Sequence, residues 1–179
     1  MAAATSLFGS RGFQAVSIDD ICSAVGLSRG GFYHHFSNRE ACFEAVWLSL
    51  QAQWGEHSRQ LAATYDENMN AWELIEHSFR DLFTYWAEPA RRQINLYDPI
   101  PALGWDRILE LTEAGGQSEV AEMLRELGKR DDPLTARLIT AAITDATFHV
   151  GHLGCPDDVR DRAASTLVDL IRGLPDLET

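Results

Sequence analysis

Residues 17–47, SIDDICSAVGLSRGGFYHHFSNREACFEAVW, decide how the rest of the chain is read. Ser17 can cap a helix, and Asp20 three residues later completes an S-x-x-D capping box. Ile18, Ile21 and Val25 then fall on one helical face. Gly26 suits the end of that helix, and Ser28 can cap the next. The second helix carries Arg29-Gly30-Gly31-Phe32-Tyr33-His34-His35-Phe36, with Phe32 and Phe36 one turn apart and directed inward. Gly30, Gly31 and His34 project opposite them, with Arg29 and Tyr33 on the flank. Ser37 and Glu40 form a second capping box that starts a third helix.

Two short helices joined by a tight Gly-containing turn make a helix-turn-helix, whose second helix enters the major groove. Arg29 can pair bidentately with guanine, His34 can meet a base edge or phosphate, and Tyr33 has a hydroxyl within phosphate reach. Asn38 and Arg39 occupy the first turn of the third helix, where free amides and the positive helix end favour a phosphate. Adjacent glycines cost roughly 1 kcal/mol each against alanine in a helix, and close approach of a partner to the backbone at Gly30 and Gly31 would explain them. An ordinary helical hairpin with a decorated surface fits the spacing equally well.

The wider pattern separates the two. Leu7-Phe8, Arg11-Gly12-Phe13, Ser17-Ile18-x-x-Ile21, Ala24-Val25-Gly26-Leu27-Ser28, Gly31-Phe32-Tyr33-His34-His35-Phe36 and Asn38-Arg39-Glu40-Ala41 follow one another in order. This ordered set resembles the DNA-binding domain of the TetR family of bacterial repressors. The resemblance implies an all-α fold: a three-helix helix-turn-helix domain at residues 1–47, then a larger antiparallel helical ligand-binding and dimerisation domain at 48–179. It implies a homodimer built through the last two helices, a palindromic double-stranded operator and a small-molecule effector, with no cofactor. Carried onto this sequence, the DNA-facing set is Ser17, Ser28, Arg29, Gly30, Gly31, Tyr33, His34, Asn38 and Arg39. Family members usually carry a basic arm ahead of the first helix, whereas here no Lys or Arg precedes Arg11.

Charge pulls the other way. The chain has a net charge of −12. Three arginines against four acids leave residues 1–47 at −1, and the remaining 12 basic and 23 acidic residues carry −11. Lys and Arg contacts to phosphate supply most non-specific DNA affinity, so this head must rely on a few specific contacts. Cys22, Cys42 and Cys155 form no C-x-x-C pair, and the first two fall on apolar helical faces as buried thiols. The sequence contains neither a signal peptide nor a run of 18 apolar residues, which points to a cytoplasmic protein without a membrane span.

Beyond the head, the third helix continues to about Ala63 with Phe43, Val46, Trp47, Leu50 and Trp54 in one stripe. Asp66-Glu67-Asn68 breaks the pattern and marks the boundary with the body. A helix from Asn70 to about Glu88 follows, then a short one over 90–97, a rigid turn at Asp98-Pro99-Ile100-Pro101, and a helix from Trp105 to about Arg130. Gly115-Gly116 would kink or break that last helix. Asp132-Pro133 opens a helix to about Leu153, rich in alanine. Pro156 opens the final one, with Val159, Ala163, Leu167, Leu170 and Ile171 on one side.

Trp72, Phe79, Phe83, Trp86, Tyr97 and Trp105, with Phe148 and His149, could line an apolar effector cavity, against plain core packing for each. Asp145, His149 and His152 share a face, read as a polar patch rather than a metal site. No G-x-S-x-G, H-E-x-x-H, P-loop or G-x-G-x-x-G occurs, which leaves a small all-helical enzyme as a remote alternative. The nearer alternative is a ligand-binding protein or activator of the same fold with weak or lost DNA binding.

Overall fold

The computed structural model describes residues 1–177 except 113–118, and the described chain is helical without a β-strand. It divides into two compact units: Met1–His57 with Glu88–Ile108, and Ser58–Ala87 with Leu109–Thr179.

The first unit begins with α1 (Ala2–Arg11), a 3₁₀ turn at Phe13–Ala15, α2 (Ile18–Val25), α3 (Arg29–His35) and the start of α4 (Arg39–Ala62). Phe8, Phe13 and Phe43 meet with ring centroids 5.2–5.9 Å apart, and Val16, Val46, Trp47 and Leu50 are among the other buried apolar residues of the unit. Segment 88–108 packs into the same unit as α6 (Pro89–Arg92), a π-helical turn at Gln93–Tyr97, α7 (Pro99–Leu103) and the first residues of α8 (Trp105–Glu126). Gly9, awkward at the end of a helix by sequence, lies where α6 comes in. A Cβ there would stand 2.7 Å from the Ala90 Cβ. Gly12, at φ +76°, turns the chain out of α1 in a conformation that side chains disfavour.

Two expectations need correcting here. Ser37 does not start α4; Asn38 does, its Oδ1 accepting the Ala41 N–H at 2.7 Å while its carbonyl accepts from Cys42. Asn ranks with Ser as a cap, so the choice rests on where the preceding turn leaves the backbone. Asp98-Pro99-Ile100-Pro101 is not a turn between helices but the start of one. Pro99 is the first residue of α7 and Pro101 lies inside its first turn, where a missing N–H removes no helical hydrogen bond.

The second unit is built on α5 (Ala71–Ala87), the remainder of α8, α9 (Pro133–His152) and α10 (Asp157–Arg172). Asn70 caps α5 in a reciprocal box with Glu73, and Asp132 caps α9 through the Leu134 and Thr135 N–H groups. Phe79, Phe83, Leu124, Ile139, Val150 and Ile171 are the large side chains of a core shared by all four helices. On α10 the packed residues include Ala164, Leu167, Val168 and Ile171. Leu170, on the same apolar side of the sequence, is 48% exposed. The question posed by Gly115-Gly116 lies outside the described residues. Among the described residues no helix is long and apolar enough to cross a membrane.

Candidate nucleic-acid interface

The reading unit is positioned by its caps. The Asp20 N–H donates to Ser17 Oγ at 3.1 Å, and the Ser17 N–H donates to Asp20 Oδ2 at 2.8 Å, closing the capping box that the sequence announces. Hydrogen bonds from Ser17, then from Arg11, hold the Asp20 carboxyl down at about 2. Gly26 ends α2 in the left-handed conformation at φ +66°. The Gly31 N–H then donates to Ser28 Oγ at 3.1 Å, starting α3. Ser17 and Ser28 thus use their hydroxyls to set the two helices.

Phe32 is buried, its ring edge-on to Tyr33 at 5.7 Å and tilted against Phe36 at 5.6 Å. That anchoring leaves Arg29, Gly30, Tyr33 and His34 exposed along α3. The two glycines differ. A Cβ at Gly30 would meet only Ser28 Oγ, at 3.8 Å, whereas one at Gly31 would stand 2.7 Å from Leu27 Cδ1. A side chain at position 31 thus needs Leu27, itself 40% exposed, to move aside, while Gly30 leaves open space on the helix surface.

The arginines are all engaged within the head. Arg11 binds Asp20 at 3.1 Å and the Ala15 carbonyl at 2.9 Å. Arg29 Nε lies 3.3 Å from Asp19 Oδ1. Arg39 donates to the Val16 carbonyl at 3.0 Å with its guanidinium 4.0 Å over the Phe13 ring, so it ties α4 to the turn ahead of α2. Asn38 is exposed and caps α4 through its Oδ1.

Sequence reasoning missed the support beneath this surface. Asp98 is buried, and its carboxylate accepts the Phe13 N–H at 2.8 Å and Gln93 Nε2 at 2.9 Å. Burial pushes its carboxyl above the ordinary value, while those two donors oppose the shift. Asn95 Oδ1 accepts from Trp47 and Gln51 on α4. Arg107 grips Glu44 through two hydrogen bonds, at 2.6 and 2.9 Å. The only sequence signal was the Asp-Pro step at 98–99, which marks a helix start and not a partner.

Of the residues expected to line an effector cavity, Tyr97 and Trp105 belong to the first unit and the other six to the second. Trp105 is 58% exposed. Phe79 and Phe83 sit in the second unit's core with Trp72 packed against it, and Trp86 is buried edge-on to Tyr85. On α9, Phe148 stacks on His152, and His149 is exposed. No group of three or more His, Cys, Asp or Glu side chains able to hold a metal occurs among the described residues.

Residues 1–46 match the family model described as bacterial regulatory proteins, tetR family. The transposon Tn10 TetC protein of Escherichia coli is 27% identical over 157 residues, covering 82% of this chain and 76% of TetC. The transcriptional repressor KstR2 of Rhodococcus jostii is 29% identical over 77 residues, 42% of this chain and 38% of that protein. A TetR-family transcriptional regulator from Pectobacterium atrosepticum superposes with a TM-score of 0.71 at 24% identity, over 99% of this chain and 93% of that one. At that identity the superposition speaks for the fold.

Proposed function

We propose that the chain is a ligand-released repressor of the TetR family of bacterial transcriptional regulators, the family whose model matches residues 1–46. In this reading a cytoplasmic homodimer presents two copies of α3 to a palindromic operator. The observation that carries it is the capped α2–Gly26–α3 unit, which buries Phe32 and leaves Arg29, Tyr33 and His34 exposed along one short helix. We assign Arg29, the first residue of α3, to a base edge, and the exposed Tyr33 and His34 to backbone or base. One such head covers only a few base pairs, so two heads one helical turn apart are needed for useful specificity.

Release is a population shift. An apolar or amphipathic molecule bound by the C-terminal domain favours a conformation whose two heads no longer match the half-site spacing. A coupling of about 1–3 kcal/mol is enough for release under competition. The test is a gel shift with DNA flanking the protein's own gene, repeated with candidate ligands. A specific complex that dissociates on ligand addition supports the proposal. A specific complex that no ligand disturbs removes the release step, and one that activates transcription removes the repressor assignment.

The acidic balance, together with three head arginines already paired internally, favours one second reading: a TetR-fold ligand-binding protein with weak DNA affinity. Absence of any specific complex at low salt would select it.

A further inference from the structure

Arg29 is the sole Lys or Arg on the reading helix, and the structure gives it a carboxylate neighbour. Asp19 Oδ1 lies 3.3 Å from Arg29 Nε, with the two side chains 64% and 63% exposed. Neither residue is needed to bury the other, and exposed pairs of this kind contribute little to folding. Their place is what matters. Asp19 lies in the first turn of α2 and Arg29 is the first residue of α3, so the carboxylate reaches across the turn to the group best placed to touch a base.

From this geometry we propose that Asp19 is a positioning and specificity-determining residue for DNA recognition, an inference that rests on the DNA-binding reading above. It acts in two ways. The ion pair draws the Nε side of the guanidinium towards Asp19 and leaves its terminal N–H groups directed away from the carboxylate, where they can form a bidentate pair with guanine. The same carboxylate is a negative charge at a surface that approaches phosphates. It lowers affinity for any duplex in which Arg29 finds no base partner. Correct DNA compensates the repulsion through the oriented Arg29, and random DNA does not. A head with a net charge of −1 over residues 1–47 thereby gains discrimination by suppressing wrong partners.

The test uses the full chain and two labelled duplexes: one selected by the wild-type protein from a randomised library, and one of scrambled sequence. Asp19→Asn should raise affinity for the scrambled duplex roughly threefold to tenfold at low salt and steepen its salt dependence by about one ion. Affinity for the selected duplex should change less, so the ratio between the two falls. In an Arg29→Ala background, Asp19→Asn should leave that ratio unchanged, which a purely structural role for Asp19 would not predict. Far-UV circular dichroism checks that each variant folds. Unchanged ratio and salt slope in Asp19→Asn, or an equal change with and without Arg29, would overturn the assignment while DNA recognition stands. If the wild-type protein enriches no sequence, both the DNA-binding reading and this one fall.

Discussion

Gly30 and Gly31 are neighbours in one helix with different physical reasons. Nothing closer than 3.8 Å would meet a Cβ at position 30. Gly30→Ala should therefore raise stability by up to about 1 kcal/mol in urea denaturation, the ordinary helix-propensity gain. Any loss of DNA affinity in that variant would report backbone approach by DNA. Gly31→Ala should fall short of that gain by about 1 kcal/mol, since the new methyl meets the Leu27 side chain at 2.7 Å and must displace it. The sequence presented the pair as equivalent, because spacing cannot say which way Leu27 folds back. Asp20 was fully legible, since a capping box depends on residues three apart. Its carboxyl is held at about 2 against an ordinary 3.8, so its contribution is present above that ordinary value and lost as pH falls towards about 2. Thermal melts across that acid range should show a flatter profile for Asp20→Asn than for the wild-type chain.

At the scale of elements, α2 and α3 could be read from sequence because their caps, periodicity and Gly26 turn are all local signals. Segment 88–108 could not. Its place in the first unit depends on Asp98 meeting the Phe13 N–H across 85 residues, and no local pattern encodes such a partner. Pro99 and Pro101 misled for a related reason, since two prolines serve a turn and a helix start equally well. The segment's two polar anchors should differ in weight. Asp98→Ala strands a buried N–H and should cost about 1–3 kcal/mol. Arg107→Ala removes a more exposed ion pair with Glu44 and should cost about 1 kcal/mol or less. Urea midpoints of the two variants decide this, and equal losses would contradict it. Asp98 also has a pH signature opposite to that of Asp20. Its raised carboxyl favours the folded state in acid, an advantage lost as pH rises from 3.8 through the raised value. Asp98→Asn should remove that decline.

For the whole molecule, the charge balance and the last two helices determine how the proposed regulator can work. A chain at −12 whose head arginines are internally paired has little bulk attraction for DNA, so its affinity must come from two heads acting together. In the proposed reading, that makes self-association a condition of recognition. The last two helices expose apolar side chains suited to it: Leu134 at 65% and Leu138 at 61% on α9, and Leu170 at 48% on α10. The alanine-rich, small-residue character of α9 was visible in the sequence. Which leucines escaped the core was not, because the rotation of α9 and α10 against α5 is fixed only by packing. Leu138→Asp changes a side chain that the unit's own core does not use, so the monomer should keep its helical content and melting temperature. If α9 and α10 form the proposed dimer interface, a charge facing its symmetry mate should shift sedimentation from dimer to monomer. Binding to the selected operator should then fall by at least about tenfold, since one half-site contact is lost, while the weaker binding to scrambled DNA changes far less. A variant that stays dimeric and binds as before would place the interface elsewhere on the chain.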